Sequence, residues 1–404
     1  MILTALTLSL CAPQAAAAEE PLRAMRAAKV FTSAEPQVVN NGVVVWRGDK
    51  IVQVGRLEDL DLPEGLEIVD LGDLWLAPGM VEPHGHVAGS LRDLNDTVYL
   101  TNPELRTHEV LEPANPLVRD GLAGGVTSAL LIPGSGSNMG GFGMVVKMAG
   151  DTVEDIVMRS PGSLKVAQAG NPERWGWDGS RSRMLMNWNT RHTLTRGLEW
   201  AKAYEAGEAP MDFELEAFIG LENGSVPVSV HTQIFQVVLQ TITMQKRDLG
   251  LEAFIDHGTF DGYKNGPLAA AFGVPVMNGP RQFWFDRSDS SIQGCAANWS
   301  KAVPEGLLLG YNTDAPVVPQ EELSFQAAMG VRLGHDDPAG ALRGVTSYSA
   351  AALKVDDECG ALSPGLDADI VAWDGFPLDP RSSVKKAWVR GKLAYDAERD
   401  GRRF

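Results

Sequence analysis

The chain has 404 residues, a length that fits one large body with an appended smaller lobe, and its 44% hydrophobic and 22% charged residues are the balance of a soluble globular protein with a large core. A formal net charge of −17 and a pI near 4.9 give a surface that repels phosphate backbones, which argues against nucleic acid as a partner. Beyond the N-terminus no run of 18 or more apolar residues occurs, so no spanning helix is expected, and three cysteines without a C-x-x-C pair support neither a zinc ribbon nor a disulfide framework.

At the N-terminus an uncharged apolar run, Met1 to Leu10, precedes Pro13 and the small residues Ala15 to Ala18. This is the pattern of a cleaved export signal over residues 1–18, which would place the mature protein in the periplasm or outside the cell. No basic residue precedes Arg23, so a true start upstream and an Ala-rich tail on a cytoplasmic protein stay open. Leu8-Ser9-Leu10-Cys11 fits a lipoprotein site poorly.

Residues 27–76 read as short strands and turns. Val38-Val39 leads into Asn40-Asn41-Gly42, a hairpin signal, then Val43 to Trp46; Arg47-Gly48-Asp49-Lys50 marks a second turn before Ile51 to Val54. The far C-terminus repeats the style in Asp369 to Trp373 and Ala387 to Leu393, so the two ends are expected to pair into one small β lobe, residues 19–76 with 361–404.

Between them, residues 77–360 alternate buried-strand patterns with helical ones. Val126 to Ile132, Pro227 to Val230 and Leu307 to Gly310 are apolar runs, and helical periodicity is clearest at Thr193–Ala206 and Ile234–Leu249. Strand followed by helix, repeated, implies a parallel sheet, and the length favours a closed (β/α)8 barrel of the TIM type over an open sheet.

The strongest local signal is Pro78-Gly79-Met80-Val81-Glu82-Pro83-His84-Gly85-His86. On an extended strand residues two apart face the same way, about 6.6 Å apart along the chain, so both imidazoles can reach one ion. Further on, Val230-His231-Thr232, Phe254-Ile255-Asp256-His257-Gly258 and Gly310-Tyr311-Asn312-Thr313-Asp314-Ala315-Pro316 each close an apolar run, and Gly360 to Val371 leads back toward the β segments.

Taken together, and in this order, these motifs resemble the amidohydrolase superfamily over nearly everything from about residue 27 onward. Pro133-Gly134-Ser135-Gly136-Ser137-Asn138-Met139-Gly140-Gly141, then Val145-Val146-Lys147, Leu164-Lys165-Val166-Ala167 and Asn171-Pro172, look like the imidazolonepropionase-like subgroup. The resemblance implies an α/β (β/α)8 barrel, residues 77–360, with a small β-sandwich lobe built from both chain ends. It also implies a metal-dependent hydrolase cleaving a C–N bond of a small molecule. The metal would be one or two divalent ions, zinc by preference with manganese or iron as alternatives, held by His84, His86, His231, His257 and Asp314.

In this superfamily a bridging ligand is often a carboxylated lysine on a middle strand. Lys165 is the first candidate and Lys147 the rival. Subgroup members often carry an acid before the Asn-Pro pair; here Gly170 stands there, which favours Lys165 as the bridge. Asp314 is the candidate general base. His108, His192 and His335 match no motif and read as surface or structural residues.

For the substrate, Asn278 and Arg281 follow the apolar run ending at Val276-Met277; Arg281 would pair with a substrate carboxylate. Gln282-Phe283-Trp284-Phe285, with Trp175 and Trp177, are candidates for an aromatic wall. A mononuclear heterocycle deaminase, an Xaa-Pro-type dipeptidase and a non-catalytic binding relative are the competing readings, and homo-oligomerisation is left open.

Overall fold

The computed structural model describes residues 20–90, 92–168, 170–174 and 181–402; residues 1–18, read above as an export signal and including Cys11, and Trp175 and Trp177 lie outside the described residues. The first strands are β1 (Leu22–Arg26), β2 (Lys29–Phe31), β3 (Val38–Asn40), β4 (Gly42–Arg47), β5 (Lys50–Arg56), β6 (Ile68–Asp70) and β7 (Trp75–Pro78). Four of them form one sheet in the order β5-β4-β1-β6. The two-residue turn Gly48-Asp49, with Gly48 at φ 59°, closes the β4–β5 hairpin as expected.

The Asn40-Asn41-Gly42 signal does not close a hairpin. β3 pairs with β2 while β4 pairs with β1 and β5, so the chain changes sheets at Asn41. Asn41 takes φ 51°, and its N–H bonds Ala28 O at 2.8 Å. A Cβ on Gly42 would stand 2.6 Å from Val30 Cγ2, so only glycine lets the two sheets approach here.

The second sheet, ordered β22-β21-β20-β7-β2-β3, takes half its strands from the far end of the chain: β20 (Ile370–Trp373), β21 (Val384–Val389) and β22 (Lys392–Asp396). β7 and β20 pair antiparallel from Trp75↔Trp373 to Pro78↔Ile370. Met25, Val44 and Trp46 of the first sheet share one apolar cluster with Val30, Val39, Leu76, Ile370 and Ala372 of the second. Burying that shared face is what holds the two chain ends together.

The middle strands are β8 (Met80–Gly85), β9 (Val126–Leu131), β10 (Met139–Phe142), β11 (Met144–Lys147), β12 (Val157–Arg159), β13 (Leu164–Ala167), β14 (Val228–Thr232), β15 (Ala253–His257) and β16 (Val276–Asn278); a side hairpin of β17 (Phe283–Asp286) and β18 (Ser291–Gly294) precedes β19 (Leu309–Tyr311). β8 and β9 are parallel, and β13-β14-β15-β16-β19 form a parallel run. These strands are buried along their whole length, which explains their unbroken apolar runs. The last strand meets the first through the bridge Gly85↔Ala315 and the bond from His86 N to Ala315 O, 2.7 Å.

One stave departs from the strand-then-helix alternation. β11 runs antiparallel to β9, and β10 antiparallel to β13. Between β9 and its neighbour β11 the chain reverses through residues 132–143, which contain β10 and no helix to carry a parallel crossover. The Gly-rich stretch is therefore a reversing turn between adjacent antiparallel strands.

The expected helix at Thr193–Ala206 begins earlier, as Arg183–Glu205, with Ser182 Oγ capping Leu185 N at 3.3 Å. The one at Ile234–Leu249 is an α-helix, Phe235–Gln240, that continues as a π-helix, Thr241–Asp248. Because the β8, β9, β13–β16 and β19 strands share a direction, the residues at or just beyond their C-terminal ends emerge on one side. That side carries His86, His231, His257 and Asp314.

Candidate metal centre

His84 and His86 lie at and just past the end of β8, and both are buried. His86 Nδ1 meets Ile132 O at 2.9 Å, so the ring donates there and leaves Nε2 facing Asp314 Oδ1 at 3.1 Å. His84 Nδ1 meets Asp256 Oδ2 at 2.9 Å, while its Nε2 lies 3.3 Å from Asp314 Oδ1 and 2.9 Å from Lys165 Nζ. From β15, His257 Nδ1 donates to Gly279 O at 2.6 Å and Nε2 faces Nδ1 of His231, on β14, at 2.8 Å. Ligand atoms of His84, His257 and Asp314 all fall within 4.8 Å of one another. All six residues expected as ligands thus come together, from β8, β13, β14, β15 and the segment after β19.

Two of them sit on backbone that L residues rarely adopt: His257 at φ 72° and Asp314 at φ 51°. Both bends occur where a strand ends, and each turns a side chain inward that a continuing strand would carry past the cluster.

The electrostatics suit a cation. Burial lowers the pKa of His86, pulls His231 well down and brings His257 to about 4, so these rings are neutral donors at neutral pH. Burial opposes the charge on Asp314 as well, yet its contacts with His84 and His86 hold the carboxyl well below the usual range. Burial also disfavours a charged His84, but the Asp256 carboxylate overrides this and raises the ring above its ordinary value. Burial pulls the Lys165 ammonium down to about 8 against the opposing pull of Asp256 and Asp314. Neutral nitrogens on His86, His231 and His257 beside an ionised carboxylate, with His86 and His257 anchored through the nitrogen that faces away, are a donor set that zinc-type sites use.

Lys147, the rival bridge, is turned away. Its Nζ meets Asp369 at 2.6 Å and Asp367 at 2.9 Å, and it stands opposite Ser128, toward the start of β9. The reversed stave carries it toward the opposite end of the strands. There it clamps the Asp367-Ala368-Asp369 return segment; Lys50 and Arg390 also reach Asp367, at 2.7 and 3.5 Å.

Asn278 braces the cluster from behind, its buried amide donating to His257 O at 2.6 Å. Arg281 stays outside it, exposed, with its guanidinium 5.5 Å from the Phe260 ring centroid. Phe283 and Phe285 are about half exposed on the side hairpin, and Trp284 packs edge-on against Phe260. Gly170 takes φ 83°, and a Cβ there would stand 3.8 Å from His231 Nε2; an acid at this position would adjoin the histidine, and glycine supplies none. His108 is a surface residue, His192 stacks on the exposed Trp188, and the buried His335 bonds Tyr311 Oη at 2.6 Å.

Sequence reasoning missed two buried carboxylates. Glu82 accepts from Thr313 Oγ1 at 2.6 Å, from Thr313 N at 3.1 Å and from His84 N at 3.1 Å, tying the start of the Asp314 bend to β8. Burial, partly offset by those bonds, pushes its carboxyl up to about 8. Asp256 was hidden by strand alternation, which points it away from the face its neighbour His257 occupies. The following Gly258, at φ 54°, is the only sequence signal of the bend that brings both inward.

A model of the amidohydrolase family matches residues 286–395. Amidohydrolase tasK of Hapsidospora irregularis is 26% identical over 90% of this chain, which spans 42% of that relative's length. The imidazolonepropionase of Pseudomonas savastanoi pv. phaseolicola is 24% identical, covering 83% of this chain and 88% of its own. Among solved structures, an amidohydrolase from Thermotoga maritima MSB8 superposes with a TM-score of 0.81 at 26% identity, covering 92% of this chain and 99% of that one.

Proposed function

The chain belongs to the amidohydrolase superfamily, with imidazolonepropionases among its relatives, and from that premise we propose that it is a metal-dependent hydrolase cleaving an amide-type C–N bond in a small, non-macromolecular substrate. One observation carries this reading: four histidine nitrogens, the Lys165 amine and the Asp314 carboxylate converge at the strand ends, with His86 and His257 in tautomers that leave a lone pair facing inward. We read the strands from β8 to β19 as a TIM-type (β/α)8 barrel with one reversed stave, over residues 77–360. Residues 19–76 and 361–404 are read as a β-sandwich lobe, and residues 1–18 as an export signal that directs the protein to the periplasm or beyond.

His84, His86, His231, His257 and Asp314 would hold one or two divalent ions, zinc by preference, which when bound supply Lewis acidity and lower water's pKa from 15.7 to about 7. Lys165 would bridge as its carbamate. Its low pKa leaves a share of free amine at neutral pH to add CO2, which releases one proton and turns that neutral nitrogen into an anionic oxygen donor. Asp314 is ionised and sits against both His84 and His86, so it can take the proton of the attacking water. As the C–N bond breaks, the same carboxyl returns that proton to the leaving nitrogen. Asn278 keeps His257 in place through its backbone carbonyl, and Arg281, on the exposed segment beyond β16, would meet a substrate carboxylate.

Metal analysis of the purified protein, with a screen of cyclic imides, N-acyl amino acids and Xaa-Pro dipeptides, tests the proposal. Two equivalents of metal, with turnover that Asp314→Asn abolishes, are expected. One equivalent, unaffected by Lys165→Ala, would instead favour a mononuclear deaminase. No bound metal and no turnover of any class would remove the reading.

A further inference from the structure

The four clustered histidines are not anchored alike. His86 and His257 donate through Nδ1 to backbone carbonyls, Ile132 O and Gly279 O. His84 alone has a carboxylate at that nitrogen, Asp256 Oδ2 at 2.9 Å. It also has the most contested Nε2, which lies 3.3 Å from Asp314 Oδ1 and 2.9 Å from Lys165 Nζ. An unanchored imidazole there would place its proton on Nε2, toward Asp314, and lose the lone pair that a cation needs. A carboxylate behind the ring removes that choice.

Asp256 reaches His84 through an irregular backbone. Neighbouring residues on a strand face opposite sides, yet Asp256 touches His84 and His257 touches His231. The bend at His257 and Gly258, φ 72° and 54°, brings both inward. On the adjacent strand Ser229 Oγ donates to the same Asp256 Oδ2. Asp256, Ser229 and His84 are all fully buried.

We propose that Asp256 is a positioning residue that sets the ring tautomer of His84 for metal binding, with Ser229 holding Asp256 in register. This rests on the metal-centre reading above. Asp256→Asn keeps the side-chain size but presents an N–H to the ring, which selects the wrong tautomer. Competition against a chelator is expected to show zinc binding about 10- to 100-fold weaker than in the parent. In the metal-free protein, at a pH high enough to make the His84 ring neutral, 15N-histidine spectra are expected to show the His84 proton on Nδ1 in the parent and on Nε2 in Asp256→Asn. Ser229→Ala removes one hydroxyl and decides the matter should Asp256→Asn not fold; a smaller weakening of zinc binding, with the His84 proton drifting from Nδ1, is expected. Zinc affinity within twofold of the parent and an unmoved proton would overturn the proposal. If the parent binds no divalent metal, the hydrolase reading falls by itself, and the tautomer in metal-free protein still decides the role of Asp256.

Discussion

Two lysines, Lys147 and Lys165, are both fully buried, on strands one stave apart, and they have opposite surroundings. Around Lys147, Asp369 and Asp367 stand at 2.6 and 2.9 Å; burial opposes the charge, but the two carboxylates overcome it and hold the ammonium above its ordinary value. Lys165 has His84 Nε2 at 2.9 Å and feels Asp256 and Asp314 only at longer range, so burial prevails and its amine is brought to about 8. One is a clamp between the central strands and the returning C-terminal segment. The other is an amine whose proton is loosely held beside a cluster of ligands. What a buried lysine does is decided by how many carboxylates the fold brings within contact distance, and the strand direction decides that here.

The comparison can be broken or sharpened by experiment. On the catalytic side, Asp314→Asn is expected to lower turnover by about 10²–10⁴-fold, the range that a general base contributes, with little change in unfolding temperature; steady-state kinetics on a substrate from the screen checks it. At the clamp, Lys147→Met takes the buried cation away from Asp369 and leaves Asp367 with only Lys50 and Arg390. A loss of about 3–5 kcal/mol, the cost of breaking a buried pair, is expected in urea denaturation, with metal content per folded chain unchanged. Lys165→Met should do the reverse. Bound metal falls from two equivalents to one, while the metal-free protein is as stable as the parent or more so, because a buried amine with no carboxylate in contact has been replaced by an apolar chain. Equal loss of stability in both variants would erase the distinction.

The smallest effect is in pH dependence. The folded value of Lys165, about 8, lies below the roughly 10.4 of an unfolded lysine, so the unfolded chain binds more protons between them. Stability should therefore rise with pH across that window, and this rise should vanish in Lys165→Met. The folded value of Lys147 lies above that of the unfolded chain, so its contribution is whole below about 10.4 and is lost only as pH climbs past that toward the folded value. Urea titrations of metal-free protein from pH 7 to 10 separate the two.

His84 and His86 were legible from a spacing of two on an apolar strand read together with the family resemblance, and His231, His257 and Asp314 from that resemblance, each at the close of a buried run. Lys165 and Lys147 were not separable by the same reasoning, since both stand in short apolar strands. Only the reversal after β9 sends Lys147 to the opposite end of the strands. Asp256 was invisible for a related reason: alternation is a rule for regular strands, and the strand stops being regular at His257. The hairpin read at Asn40-Asn41-Gly42 failed because turn chemistry specifies a change of direction and says nothing about which sheet receives the next strand.

By itself the amino-acid order determined the periodicities, the turn positions and the residue types able to hold a cation, because these depend on neighbours a few positions apart. Which lysine keeps company with the histidines, which carboxylate stands behind which ring, and where a strand gives way to a bend were decided by tertiary structure. Those outcomes depend on pairings between segments up to hundreds of residues apart, such as β7 with β20 and Lys147 with Asp369. Local propensity carries no record of them.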